Sequence, residues 1–204
     1  MRRALRLVQT RLSGETPFTS ACHFGHVDVA RLLRAARPDL DVNHTPLNGS
    51  LATALNGAIA AGHAAAVRYL LQEVQPPAVF IAGPEGPALT AAGLGFTEIL
   101  QIILEAAPAV SLTSVDADGR SALVLAALGG HADAVAVLLR HRQWRVPAAE
   151  LALARDAATQ HSHDHVMRAL QNATATIATA ATVTVAEHAA NASETASAGE
   201  KTEL

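Results

Sequence analysis

The chain has 204 residues, room for one ordinary domain or for a short array of repeats with a tail. It is 50% apolar yet only 3% aromatic, with alanine supplying much of the apolar count, a composition that suits closely stacked short helices better than a wide globular interior. The formal charge of -3 leaves no global positive field to hold a phosphate backbone, which argues against nucleic acid as a partner.

Residues 1–11 form a basic segment, with Arg2, Arg3, Arg6 and Arg11 and no acid. Arg6 interrupts an apolar stretch far shorter than the hydrophobic region of a secretory signal. Leu5, Val8 and Leu12 recur at helical spacing, so the segment reads as a half-repeat covering the first unit's apolar face or as a fraying end. An organelle transit segment is a further alternative, opposed by the repeat-like sequence that begins almost at once. Further along, Gly, Pro or a charge breaks every long apolar run, and none reaches bilayer-spanning length. The single cysteine, Cys22, cannot staple the fold and reads as a buried spacer in a reducing compartment, so an intracellular, cytoplasmic location is expected.

Self-similarity organises the middle of the chain. Four segments align: TPFTSACHFGH from Thr16, TALNGAIAAGH from Thr53, GPALTAAGLGF from Gly86 and SALVLAALGGH from Ser121. Their closing glycines, Gly25, Gly62, Gly95 and Gly130, lie 37, 33 and 35 residues apart. Thr16, Thr53, Gly86 and Ser121 stand where a helix N-cap is wanted, and Pro17 and Pro87 occupy the first helical position, where a missing N–H costs nothing. Ala21, Ala58, Ala91 and Ala126 fall one turn before each glycine and allow close helix approach, while the glycine is placed to take the left-handed conformation that ends the helix. A second helix follows each time, with apolar residues at helical spacing: Val29, Leu32 and Leu33; Val67, Leu70 and Leu71; Ile99, Ile102 and Ile103; Val135, Leu138 and Leu139.

This grammar is similar to the ankyrin repeat. The fourth unit, DADGRSALVLAALGGHADAVAVLL from Asp116, and the first, GETPFTSACHFGHVDVARLL from Gly14, carry the resemblance most fully. The second and third depart from it, with Leu51 and Pro84 in place of the turn glycine, Gly86 in place of the cap hydroxyl and Phe96 in place of the histidine. The resemblance implies an all-α helix-turn-helix solenoid over residues 12–171, with about four repeats and a C-terminal cap from Ala149 to Leu170, where no glycine marks the helix turn. It also implies that His26, His63 and His131, directly after the closing glycine, support backbone hydrogen bonds between repeats. The Ala/Thr/Ser-rich stretch 172–204 has no face to bury and reads as a disordered tail. The connectors 37–50 and 73–85 are long enough to be tolerated insertions or extra contact surface. Trp144 is expected to pack the cap against the fourth unit.

Function follows from the same resemblance: a protein–protein interaction module or adaptor that meets its partner through finger loops and the concave face of the first helices. The fingers offer Leu12, Ser13 and Glu15 in the first unit and Ala117, Asp118 and Arg120 in the fourth. Phe24, Leu94 and Leu128 are the expected anchors, beside His23 and Glu15, with Asp118 and Arg120 fixing register at the rim. The alternative for Phe24 and Leu94 is packing between repeats. A structural or regulatory subunit of a larger assembly is the second reading of the whole chain. A metal-dependent enzyme built on His161, His163 and His165 is the third, opposed by the absence of a supporting carboxylate at recognisable spacing. No enzymatic activity, metal, cofactor or membrane partner is expected. The terminal Thr202 and Leu204 match the pattern that PDZ domains capture, a weak three-residue signal.

Overall fold

The computed structural model describes residues 15–45, 53–74, 86–106, 114–141 and 146–172. The expectations placed on residues 1–14, on the remaining parts of the two long connectors, on Trp144 and on the tail with Thr202 and Leu204 lie outside the described residues.

Helices come in pairs. The first unit holds α1 (Pro17–His23) and α2 (Val27–Ala36), and the second holds α3 (Ala54–Ala60) and α4 (Ala64–Arg68). The third contains α5 (Pro87–Gly93) and α6 (Thr97–Ala106), the fourth α7 (Ala122–Leu128) and α8 (Ala132–Arg140). A fifth pair is α9 (Ala148–Gln160) and α10 (residues 164–172). The first helices pack in series, α1 on α3, α3 on α5, α5 on α7 and α7 on α9, while α4 lies against α6 and α6 against α8. Stability in such a stack comes from neighbour-to-neighbour burial, since seven-residue helices are marginal alone.

The starts and stops of the first helices follow the sequence grammar. Thr16, Thr53 and Ser121 accept at their side-chain oxygens from the backbone N–H of Thr19, Asn56 and Val124, and Thr19 answers Thr16 by accepting from its N–H at 2.8 Å, closing a capping box. Gly86 has no side chain to cap α5, and Pro87 at the first helical position removes one orphan N–H instead. At the other end the closing glycine takes positive φ and the residue after it donates to the alanine carbonyl one turn back: His26 to Ala21, His63 to Ala58, Phe96 to Ala91 and His131 to Ala126, all at 2.8–2.9 Å.

The cap repeats this motif without glycine. His163 donates to Ala158 at 2.8 Å, and Ser162 occupies the left-handed position at φ 56. An L side chain is strained there, so Ser162→Gly is expected to stabilise the chain by about 0.5–1 kcal/mol, seen as a thermal midpoint a few degrees higher. An unchanged or lower midpoint refutes the strain.

The core runs along the stack, from Phe18 and Cys22 through Leu55, Ile59 and Leu70 to Ile99, Ile103, Leu123, Leu138 and Leu170. Small Ala21, Ala58, Ala91 and Ala126 are all buried, as close helix approach requires. The second helix of the second unit widens into a π-turn over Tyr69–Glu73, with Val74 donating to the Tyr69 carbonyl. The first unit departs from the later ones in two places. On α2, Val29 and Leu32 are 47% and 70% exposed, so the inward-facing stripe of the later units is an outward one in the first. The described start of the connector after α2 folds back on the stack: Leu40 and Val42 enter the core, and Arg34 donates to the carbonyls of Pro38 and Leu40.

Burial pushes the Cys22 thiol up from 9.0 to about 12. Native protein should therefore leave Cys22 unlabelled by a thiol reagent at pH 8, while urea-unfolded protein labels fully. The raised value also means that the stabilisation from keeping this thiol neutral is fully present below pH 9.0 and is lost progressively as the pH rises towards 12.

Candidate functional site

The concave row is built from the last turns of the first helices. Phe24 closes α1 at 62% exposure and Leu94 closes α5 at 49%. Between and beside them lie small residues, Ala60 and Ala61 at the end of α3, Gly93 at the end of α5 and Gly129 after α7, so the two apolar side chains rise from a low floor. His23 is exposed, stands edge-on to Phe24 at 5.0 Å between ring centroids, and lies against Gly57 of the next unit. Packing between repeats, the alternative for Phe24 and Leu94, is not what these exposures describe. Glu15 sits at the start of the row, half-buried, accepting from the Ser20 hydroxyl at 3.2 Å.

Leu128 differs from the other anchors. It is half-buried and packs against the core, and its carbonyl accepts from His163 Nε2 at 3.1 Å. A charge at this position would act on the joint between the fourth unit and the cap as well as on the surface.

The fourth finger is a tight turn. Val115 and Ser121 pair across its base, Asp116 donates to the Arg120 carbonyl, and Gly119 takes φ +76 at the tip. Asp116 organises it: Oδ1 accepts from the N–H of Asp118 at 3.0 Å and of Arg120 at 2.8 Å, and Oδ2 accepts from Arg120 Nε at 2.7 Å. Desolvation pushes the Asp116 carboxyl up, but these donors outweigh it and hold the group below the usual carboxylate range. The Arg120 guanidinium also meets Asp118 at 2.6 Å. The two residues expected at the rim are thus paired with each other, as part of the finger's own frame.

The post-glycine residue of each later unit lies over the closing glycine of the unit before. His63 covers Gly25, Phe96 covers Gly62, His131 covers Gly95 and His163 covers Gly130. In two of these joints the ring also bonds backwards: Nε2 of His131 donates to the Gly93 carbonyl at 3.0 Å, and Nε2 of His163 to that of Leu128. A carbonyl only accepts, which fixes the proton on Nε2 in both. His165 donates to the Gly130 carbonyl at 2.6 Å. The rings of His161, His163 and His165 follow one another at 5.9 and 5.8 Å between centroids, and among the described residues no group of three or more His, Cys, Asp or Glu side chains is placed to hold a metal ion. His163 and His165 are joint residues of the cap.

Comparison with known proteins addresses the repeat itself. The family model described as ankyrin repeats in many copies matches residues 20–71, the span from α1 to the π-turn of the second unit. Residues 20–71 carry ankyrin repeats. No curated protein matches it significantly. The matched span includes the second unit, whose turn departs from the pattern, so the helix-pair grammar carries the family signal there without the glycine turn. Ankyrin repeats are in general protein-interaction modules. Among the described residues no helix is long and apolar enough to cross a membrane.

Two features of the ankyrin stack had only faint signals in the sequence. Ion pairs bridge adjacent units, Arg31 to Glu73 at 2.8 Å and Arg68 to Glu98 at 3.1 Å. The two arginines share one slot, six residues after the closing glycine, but their acidic partners do not, so no periodic acid marks the pairing.

Proposed function

We propose that this ankyrin-repeat chain is an intracellular adaptor without enzymatic activity, which binds a protein segment along its concave row, with Phe24 and Leu94 as anchors and His23, Glu15, Asp118, Arg120 and Leu128 around them. The observation that supports it is the exposure of Phe24 and Leu94 above a floor of alanine and glycine, an arrangement that gives a partner two apolar holds and room to lie between them. The finger adds a fixed rim, since Asp116 holds its backbone in one shape before any partner arrives.

The test is a partner recovered from the source cells, purified and bound again with purified chain. Phe24→Asp combined with Leu94→Asp is expected to weaken that binding by at least about tenfold while the thermal midpoint stays within about 2 °C, because exposed substitutions cost little stability. Unchanged affinity removes the concave row from the reading. Leu128→Arg is expected to lower the midpoint as well as the affinity, in keeping with its half-buried place.

A further inference from the structure

The first helices of the four units, PFTSACH, ALNGAIA, PALTAAG and ALVLAAL, contain no Asp, Glu, Lys or Arg. The second helices all do. Among the described residues, charge borders the concave row at its two ends, on the side where the first helices begin. At one end Glu15 precedes the cap of α1. Its carboxylate accepts from the uncharged Ser20 hydroxyl, and no salt bridge among the described residues reaches it. At the other end, in the finger before α7, Asp116 and Asp118 share the single guanidinium of Arg120, and the Asp118 side chain is 68% exposed. Each end therefore holds one negative charge in excess, with an uncharged row between them.

We propose that the segment taken by the concave row is an amphipathic helix with an apolar stripe and a basic residue towards each end, an inference that rests on that row being the binding face. First helices of seven residues measure about 10 Å, so the floor is one helix wide. Neighbouring helix axes lie about 8–10 Å apart, which separates Phe24 from Leu94, two steps along, by about 16–20 Å. A helix covers that distance in about 11–13 residues, and about eleven residues make three turns, so one stripe meets both anchors. Three steps, from Glu15 to the fourth finger, span about 24–30 Å, or about 16–20 helical residues, which sets the basic side chains near the two ends. The floor also favours a helix over an extended segment. Its own helices bond their backbone groups internally and offer no ladder to join, whereas a helical partner satisfies its own backbone.

The test uses random peptides of about 20 residues, displayed on phage and selected on the purified full chain, with the enriched sequence then synthesised. Selected peptides should carry apolar residues at helical spacing and Lys or Arg towards both ends, and should turn helical on binding by circular dichroism. Phe24→Asp combined with Leu94→Asp should weaken them by at least about tenfold. Glu15→Gln and Asp118→Asn should each weaken the synthetic peptide by about two- to fivefold and flatten its salt dependence. A peptide whose basic residues are changed to Gln should respond to neither acid variant. Selected peptides that need Phe24 and Leu94 but are acidic, stay extended or ignore both acid variants overturn this proposal and leave the concave row standing. A selection in which no peptide needs Phe24 and Leu94 removes the row, and this proposal with it.

Discussion

Gly95→Ala is expected to destabilise the chain by about 2–4 kcal/mol, one of the largest losses available from adding a single methyl group. Two effects act together. Gly95 holds φ +73, a region in which an L side chain costs about 1–2 kcal/mol. A Cβ there would also collide with the His131 ring, which lies over the glycine and donates from Nε2 to Gly93. Moving the ring breaks that bond, which contributes about 0.5–1.5 kcal/mol. Because the glycine and the ring form one joint, the double variant Gly95→Ala with His131→Ala should be less destabilised than the two single losses added together, by about 1 kcal/mol in urea titrations. A Gly95→Ala midpoint indistinguishable from wild type would show that the ring yields freely and that the joint contributes little.

The same joint shows what could be read from the sequence and what could not. The glycine, the alanine one turn before it, the hydroxyl caps and the prolines were legible, because each answers a local need of the backbone and recurs in sequence. The placement of His131 was legible only through family resemblance, since contact with the preceding unit's glycine is a long-range fact. Burial of the second helices was half legible: the apolar slots recur, but whether Val29 or Ile99 is buried depends on the neighbouring unit and not on the slot. Ser162 concealed the turn of the cap by taking the left-handed conformation that glycine takes elsewhere. Leu40 and Val42 sit in a stretch rich in proline and aspartate that reads as loop, and only the Arg34 bonds to its carbonyls reveal why it folds back. Of the candidate site, Phe24 and Leu94 were found by their position before the glycine, whereas the half-buried state of Leu128 comes from a cap whose register the sequence left loose.

Leu100→Ala puts the dependence on neighbours to a quantitative test. Leu100 lies five residues after its closing glycine and is fully buried, and the same slot holds Ala30 in the first unit, also fully buried. The substitution thus installs a residue that the stack already tolerates in that slot, yet it is expected to cost about 3–4 kcal/mol, because the walls here are shaped around leucine and relax only in part. For a chain of this size that corresponds to a fall of about 6–16 °C in the thermal midpoint. Leu100 belongs to the third unit, with α6 packed against α4 on one side and α8 on the other, so the cavity loosens two joints. A stack held by nearest-neighbour terms then has two possible responses, one lowered transition or separate melting of the two halves, and calorimetry distinguishes them. The unbroken core from Phe18 to Leu170 favours a single transition at the lower midpoint. A loss below about 1 kcal/mol would mean that the third unit closes around alanine as the first does, and that the slot rather than the neighbourhood sets the cost.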